Sequence, residues 1–279
     1  MKIPFTKMEG AGNDYIYFDA TKYEISDPVG LAKRLSDRHF GIGGDGIVLI
    51  CPSKVADFKM RMFNADGSEA QMCGNAIRCV GKYVYDHKMV RGLEISIESL
   101  GGIKYLDLFP NTKDEITHAR VDMGKPIFAP ADIPVTLGGV DCFGKIITSD
   151  KRNWEINCVN MGNPHAVIMV EDTMNFPVGL FGPGLEVHSV FPEKCNIEFT
   201  TIVDRKNIDM RVWERGSGET LACGTGACAT AVACIKLGLT DKRVVVRLRG
   251  GELTIEWDTM GSVFMTGPAT YVFTGEVEI

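Results

Sequence analysis

The sequence repeats itself at a fixed offset of 150 residues, and this repeat limits the folds that the chain can adopt. Cys73-Gly74 recurs as Cys223-Gly224, each reached through a similar polar loop. Further matches in the same ungapped register are Gly12-Asn13 with Gly162-Asn163, Leu35 with Leu185, Met60-Arg61 with Met210-Arg211, Phe63 with Trp213, Glu69 with Glu219 and Gly101 with Gly251. One register that aligns turn with turn and strand with strand predicts two homologous, pseudo-symmetric half-domains. We expect the functional site where the two halves face each other.

Composition and charge narrow the class of protein. The chain has 279 residues, of which 45% are hydrophobic and 24% charged, as in a compact globular protein. Its net charge of −6 is spread along the sequence, which argues against nucleic acid and against an anionic membrane as partners. No run reaches the roughly 18 apolar residues of a membrane span, so we predict a cytoplasmic protein. Most of the nine cysteines are expected to be small core residues.

The boundaries of the halves follow from local signals. Asp27 and Pro28 predict the start of a helix that runs to about residue 39, and a second helix is predicted from Gly74 to about residue 87. A proline-bearing connection after Met123 is the best candidate for a domain boundary. A last strand, 271–279, is not required by the repeat and is expected to return to one of the sheets. The predicted domains are therefore 1–123 with 269–279, and 124–268.

The two cysteines of the repeat each lie where a glycine-containing loop meets a helix. Unpaired N–H groups and the positive end of the helix dipole favour negative charge at such a place. We therefore expect the pKa of the Cys73 and Cys223 thiols to be lowered toward the thiolate. The N–H groups that follow, at Gly74-Asn75 and Gly224-Thr225, could bind a carboxylate or an enediolate oxygen.

A matched pair of thiols suits the inversion of a stereocentre. A single base tends to return a proton to the face from which it came. With two bases, a thiolate removes the proton on one side of a carbon while a thiol delivers another on the opposite side. This scheme demands no cofactor.

These residues occur in five separated motifs, and with them the chain resembles the diaminopimelate epimerase family over nearly its whole length. The motifs are Gly10-Ala11-Gly12-Asn13-Asp14, then Phe63 to Ser68 leading into Met72 to Cys79, Asn160 to His165, Glu214-Arg215-Gly216, and Ala222 to Gly226. The family interconverts LL- and meso-2,6-diaminopimelate without a cofactor, in the synthesis of lysine and peptidoglycan precursors. The resemblance implies an α+β fold in which each half is a strongly curved, mainly antiparallel sheet around a central helix, with the active site in the cleft between the halves. It also admits a homodimer.

The resemblance also implies roles for individual residues. Cys73 and Cys223 would be the two acid/base residues, and His165 and Glu214 would lie near the thiols and tune their protonation. Arg215 suits the distal carboxylate of the substrate because its guanidinium can bind a carboxylate through two hydrogen bonds. The substrate-binding residues would be Asn13, Asn64, Gly74, Asn75, Asn163, Asn196, Glu214, Arg215, Gly224 and Thr225.

One position departs from the family pattern. Some members have a substrate-binding glutamine where this chain has Gly46, the repeat counterpart of Asn196. Gly46 has no side chain to offer, so the contact is missing, supplied by a neighbour or made by backbone.

Three alternatives stay open from the sequence. A proline racemase or hydroxyproline epimerase tends to have a histidine after the first Cys-Gly, where this chain has Asn75, and would have little use for Arg215. A nucleotide-binding oxidoreductase could use Gly224-x-Gly226, but the first half lacks that glycine pattern. A thiol protein that binds metal is disfavoured because the cysteine spacings are not those of metal sites, and we assign no metal ligands.

Overall fold

The computed structural model describes all residues, 1–279, and has the predicted α+β fold, with eighteen strands and four α-helices. The chain divides into two compact units. Unit 1 comprises Met1–Asp122 and Thr266–Ile279, and unit 2 comprises Met123–Met265. No helix combines the length and the apolar content that crossing a membrane would require.

Unit 1 contains two helices and most of the strands of the first half. Its elements in chain order are β1 (Lys2–Gly10), β2 (Asn13–Asp19), α1 (Pro28–Ser36), β3 (Gly46–Cys51), β4 (Phe58–Asn64), β5 (Glu69–Ala70), α2 (Gly74–Asp86), β6 (Glu94–Ser99), β7 (Gly102–Pro110) and β8 (Ile116–Gly124). The predicted N-cap of α1 is confirmed, since the Asp27 carboxylate accepts a hydrogen bond from Gly30 N–H at 2.8 Å.

Unit 2 repeats this order of elements. A short 3₁₀ helix (Pro130–Asp132) precedes β9 (Lys145–Ser149), β10 (Arg152–Asn160), β11 (Pro164–Met169), α3 (Val178–Glu186), β12 (Asn196–Asp204), β13 (Asn207–Glu214), β14 (Gly218–Thr220), α4 (Gly224–Lys236), β15 (Arg243–Leu248), β16 (Gly251–Trp257) and β17 (Val263–Pro268). The last strand of the chain is β18 (Thr270–Glu278). Strand β10 and helices α3 and α4 lie at the 150-residue offset from β1, α1 and α2.

The strand pairings are also the same in the two units. In unit 1, β1 pairs antiparallel with β2, β2 parallel with β3, β3 antiparallel with β4, β4 parallel with β6, and β6 antiparallel with β7. In unit 2, the corresponding pairs have the same directions, from β10–β11 to β15–β16. The repeat in the sequence is therefore a repeat of sheet topology.

The last strand corrects one expectation. As predicted, β18 returns to a sheet, where it pairs antiparallel with β1 of unit 1. It is not outside the repeat, however, because β9 pairs antiparallel with β10 in the same way in unit 2. The two equivalent strands come from different places in the chain, one just before unit 2 begins its repeat and one after it ends.

An ion pair is conserved between the units. Arg61 bonds Glu69 at 2.8 Å in unit 1, and Arg211 bonds Glu219 at 2.7 Å in unit 2. Each pair ties the middle of a long strand to the short strand that leads to a cysteine, because β4 pairs with β5 and β13 with β14. The strands thus hold both cysteine loops in the same way.

Each unit has a central helix. Every residue of α2 except Asp86 is buried, and α4 is buried from Ala227 to Cys234. A helix that is buried on all sides must be surrounded by other elements, and α2 contacts β1, β2 and β7 while α4 contacts strands from β10 to β16. One of the two repeated cysteines directly precedes each central helix.

Candidate active site

Cys73 is the N-cap of α2. Its backbone is extended, with φ −137° and ψ 118°, and its sulfur accepts a hydrogen bond from Ala76 N–H at 3.5 Å. This is the position that serine, threonine, asparagine or aspartate usually occupies, since a side-chain acceptor there satisfies an unpaired N–H of the first turn. The same geometry stabilises a negative sulfur. The side chain is partly exposed.

Asn13 lies directly beside this thiol. The Cys73 S–H donates to Asn13 Oδ1 at 3.3 Å, while Asn13 Nδ2 donates to Asp45 Oδ2 at 2.6 Å. Asp45 in turn accepts from Arg38 at 3.0 Å. The amide of Asn13 is therefore oriented by a charged pair, and its oxygen is directed toward the thiol.

The other predicted residues of unit 1 have different environments. Asn64 ends β4 and donates to Ser68 Oγ at 3.0 Å across the loop that leads to the cysteine. Asn75 is buried, with 2% of its surface exposed, so its side chain is not open to a ligand. Gly74 and Asn75 are the first two residues of α2, where N–H groups have no partner within the helix.

Gly46 has no space for a side chain. A Cβ atom built there would overlap the carbonyl oxygen of Phe63 and would lie 2.9 Å from Tyr15 Cε1 and 3.0 Å from Asn64 Cα. These atoms belong to the neighbouring strands, because Gly46 pairs with Tyr15 on β2 and with Asn64 on β4. The backbone of β4 therefore occupies the place that a side chain takes at Asn196.

Cys223 is the N-cap of α4 and repeats the geometry of Cys73. Its φ and ψ are −124° and 112°, and its sulfur accepts from Gly226 N–H at 3.3 Å. The Thr225 hydroxyl lies 3.5 Å from the same sulfur. Only 6% of the Cys223 surface is exposed, so this thiol is more buried than Cys73. Gly224 and Thr225 offer the same unpaired N–H groups as Gly74 and Asn75.

The expected lowering of the thiol pKa is wrong for Cys223. Burial raises the pKa of this thiol well above its ordinary value, and the negative charges of Glu214 and Glu198 raise it further. Hydrogen bonds from Thr225 and from Gly226 N–H act in the opposite direction but are outweighed. The helix start is therefore not sufficient to make a thiolate where two carboxylates share the pocket.

Glu214 ends strand β13 beside Cys223, and Arg215 begins the turn that follows. Glu214 accepts a short hydrogen bond from the Thr220 hydroxyl. Burial raises the pKa of the Glu214 carboxyl, although Thr220 and the charge of His165 partly oppose the rise. Arg215 is exposed; its guanidinium donates to the Glu193 carbonyl at 3.1 Å, and its backbone N–H donates to Asn196 Oδ1 at 2.9 Å.

Asn196 connects two of the segments that carry predicted residues. It is 3% exposed, and its Nδ2 donates to the Pro164 carbonyl at 2.7 Å while its oxygen accepts from Arg215 N–H. All its described bonds go to backbone. In this structure Asn196 therefore fixes the turn of Asn163 and the turn of Arg215 relative to each other.

His165 lies between two oxygen atoms. Its Nδ1 is 2.7 Å from Glu198 Oε1, and its Nε2 is 2.8 Å from Asn163 Oδ1. Both His165 and Glu198 have no exposed surface. Asn163, the repeat counterpart of Asn13, is thus oriented by a histidine, whereas Asn13 is oriented by an aspartate.

Sequence reasoning missed Glu198, Asp45 and Thr220, each of which contacts a predicted site residue. A signal for Glu198 was present: it is the one charged residue in Ile197 to Thr200, a stretch that is otherwise apolar or neutral. A charged residue in such a strand is buried only when it has a partner. Asp45 and Thr220 lie in polar stretches of the sequence, where nothing distinguishes them from solvated residues.

Comparison with known proteins identifies the family. The diaminopimelate epimerase family model matches residues 5–129 and 157–272. A diaminopimelate epimerase of Agathobacter rectalis is 52% identical, over 99% of this chain and 99% of its own length. One of Methanococcus maripaludis is 53% identical, again over 99% of both chains.

Solved structures agree with the fold. A PhzF-family phenazine biosynthesis protein of Bacillus anthracis superposes with a TM-score of 0.73 over 100% of both chains, at 18% identity. At that identity the likeness concerns the fold alone. The family model and the full-length relatives decide the family: the chain belongs to the diaminopimelate epimerases.

Proposed function

We propose that this protein interconverts LL- and meso-2,6-diaminopimelate, in the synthesis of lysine and peptidoglycan precursors. The observation that carries the proposal is the pair of cysteine N-caps, Cys73 and Cys223, at equivalent positions of two repeated units. The proposal is supported by membership of the family and by relatives of that name that match over nearly the full length. We also infer that units 1 and 2 are the half-domains predicted from the sequence.

The proposed reaction uses the two thiols as acid and base. A thiolate takes the Cα proton from one face of the substrate, and the thiol of the other cysteine gives its S–H proton to the opposite face. The carbon is inverted, and the two sulfurs have exchanged their protonation states. The raised pKa of Cys223 fits the protonated, donating partner in the resting enzyme. No cofactor is needed for this proton balance.

Backbone N–H groups are proposed to hold the carboxylate at the reacting carbon. The donors are those of Gly74-Asn75 and Gly224-Thr225, which have no partner within their helices. Such donors stabilise the negative charge that develops on the carboxylate when the adjacent carbon loses its proton. Arg215 would bind the distal carboxylate, because its guanidinium is exposed and is hydrogen-bonded only to a carbonyl. The remaining substrate contacts are proposed for Asn13, Asn64, Asn163, Asn196 and Glu214.

Glu214 and His165 are proposed to tune the protonation of the thiols. Glu214 acts on Cys223 directly, because its negative charge opposes formation of the thiolate. His165 acts through Glu214, since its positive charge favours the ionised carboxylate that opposes formation of the thiolate. Together these groups control how readily the Cys223 thiol releases its proton.

The substrate is tested by isotope exchange. LL-diaminopimelate and L-proline are incubated separately with the protein in deuterated water, followed by chiral separation and mass spectrometry. We expect LL-diaminopimelate to gain one deuterium in the molecules that become meso, and L-proline to stay unlabelled. Inversion of proline instead would favour the racemase alternative, and no exchange in either compound would contradict an epimerase.

The two-base mechanism requires that both thiols reach the same carbon atom, and oxidation tests this requirement. Mild oxidation is expected to join Cys73 to Cys223 in a disulfide and to abolish turnover, with recovery after reduction. Non-reducing peptide mapping identifies the bond. The sulfurs of Cys142 and Cys158 lie 3.3 Å apart and can also be joined, so the other five cysteines serve as internal controls. A map in which Cys73 and Cys223 both stay free would contradict the requirement.

We propose further that the protein is cytoplasmic and forms a homodimer. All nine cysteines are free, which fits a reducing compartment. Strand β18 exposes Val272 and Phe273, at 52% and 46%, an apolar surface that a second copy could cover. Light scattering after gel filtration should give twice the mass of one chain, and a monomer mass at micromolar concentration would contradict the dimer.

A further inference from the structure

Glu198 lies on the same face of its sheet as the predicted site residues of unit 2. Strands β11 and β12 are parallel, with His165 beside Asn196 and Val167 beside Glu198. Because side chains alternate along a strand, Asn196 and Glu198 share one face, and His165 shares it with them. The carboxylate thus reaches diagonally from β12 to the histidine ring on β11, at 2.7 Å.

The same carboxylate lies against the first turn of α4. A Cβ atom at Gly226 would lie 2.8 Å from Glu198 Oε1, so only glycine allows this close approach. The N–H of Gly226 is also the donor to Cys223 Sγ at 3.3 Å. Glu198 is therefore packed between His165 and Gly226, at the helix end where negative charge is favoured. Gly226 is the residue whose N–H donates to the Cys223 sulfur.

Glu198 is costly to bury. It has no exposed surface, and its Oε2 has no hydrogen-bond partner in the protein, so His165 is its only described partner. A buried charge with a single partner is seldom a gain for stability, since an apolar replacement is often neutral or better. Its presence is better explained by what it does to the ring.

The hydrogen bonds of His165 indicate how Glu198 acts on the histidine ring. A carboxylate oxygen can only accept, so Nδ1–H must donate to Glu198. The Asn163 amide oxygen can likewise only accept, so in this arrangement Nε2–H donates to it at 2.8 Å. We propose that Glu198 is a positioning residue of the epimerase: it holds the His165 ring through Nδ1–H, and through the ring it orients Asn163 toward the substrate. This inference rests on the proposed function.

A second consequence concerns Cys223. The ionisable groups that face Glu198 are His165 on β11, Glu214 at the end of β13, Cys223 at the start of α4, and the buried thiols Cys158 and Cys195. Of these only His165 can carry positive charge. Removing the charge of Glu198 should therefore lower the pKa of Cys223, because one of the two carboxylates that raise it is gone.

The test is Glu198→Gln, which keeps the shape and removes the charge. Because the amide oxygen of glutamine can still accept from Nδ1–H, Glu198→Leu is made as well, and this variant removes the acceptor. For Glu198→Leu we expect kcat for LL-diaminopimelate to fall about 10- to 100-fold, as when the outer hydrogen-bond partner of a metal-bound histidine is lost, with KM changed less than about 3-fold. The pH at which iodoacetamide half-maximally labels Cys223, measured by peptide mass spectrometry, should move to lower pH. Glu198→Asp keeps the charge and should leave that labelling pH near the original value.

Glu155→Gln is the matched control, since Glu155 is an exposed glutamate on β10 of the same unit. It should change neither kcat nor the labelling. A Glu198→Leu protein with unchanged kcat would overturn the positioning role, and a Glu198→Gln protein with unchanged labelling pH would overturn the effect on Cys223. If the unsubstituted protein does not invert diaminopimelate, the proposed function fails, while the labelling experiment still tests the effect of Glu198 on Cys223.

A measurement on the unsubstituted protein covers the case in which Glu198→Gln does not fold. With ¹⁵N-labelled histidine, and with His165 assigned by comparison with His165→Gln, the Nδ1 signal of His165 should have the shift of a nitrogen that carries hydrogen. An Nδ1 without hydrogen at neutral pH would overturn the proposed contact.

Discussion

Replacing Cys73 or Cys223 by alanine is expected to reduce epimerisation of LL-diaminopimelate by about 10²- to 10⁴-fold, the usual contribution of a positioned acid or base. Each sulfur caps a helix and has no substitute within its own loop. Turnover is measured by chiral separation of substrate and product, and folding by circular dichroism. Loss of a sulfur acceptor at an N-cap costs only about 1 kcal/mol, so both variants should fold.

The single variants also distinguish two bases from one. With one thiol left, a proton can be removed and returned on one face only. Each variant should therefore exchange the Cα hydrogen of one stereoisomer with deuterated water without inverting it, and the two variants should prefer opposite isomers. Cys51→Ala is the control, because Cys51 is partly buried like Cys73 but ends strand β3 and caps no helix. Near-normal inversion in either the Cys73 or the Cys223 variant would falsify the two-base assignment.

Gly46→Gln is expected to lower the free energy of unfolding by about 3 kcal/mol or more, at the upper end of overpacking effects. The new Cβ would overlap the Phe63 carbonyl oxygen and approach Asn64 Cα to 3.0 Å. Backbone of a paired strand cannot move aside as a flexible side chain can, so relief would require separation of β3 from β4. The variant therefore tests whether this chain can accommodate, at position 46, the glutamine that binds substrate in some members of the family.

Urea unfolding measures this change, and Gly138→Gln is its control. Gly138 is exposed, and a Cβ there would meet nothing within 4 Å. The control should lie within about 0.5 kcal/mol of the original protein, as for most surface substitutions. A Gly46→Gln protein with the original midpoint would mean that β3 and β4 are not spaced as described.

The sequence was sufficient for the strongest elements of the fold and for most of the candidate site. Helix α1 was predictable because Asp27 and Pro28 mark its start, and both cysteine loops followed from the 150-residue offset. Helix α3 was not, because its sequence contains three glycines and the internal proline Pro183, a composition typical of loops. Tertiary packing in unit 2 stabilises this helix, and only its equivalence to α1 could have indicated it in the sequence.

Two properties of the site depend on contacts that no local pattern reveals. The direction of the Cys223 pKa is set by Glu214 and Glu198, which come from other strands, and the helix start alone predicts the opposite. Likewise, whether position 46 can hold a side chain is decided by the Phe63 carbonyl on the next strand. Both properties depend on distances between elements of the fold and cannot be read from residue types.

The return of β18 to β1 also determines when each unit can fold during synthesis. Unit 2 is one continuous segment and is complete once Met265 has left the ribosome. Unit 1 is made first but must wait for Thr266–Ile279, and until then β1 is an uncovered edge that can pair with other chains. The half that is translated first is therefore the last to close. Until β18 pairs with β1, a nascent chain can aggregate through Ile3 and Phe5 on β1, which are buried in the complete fold.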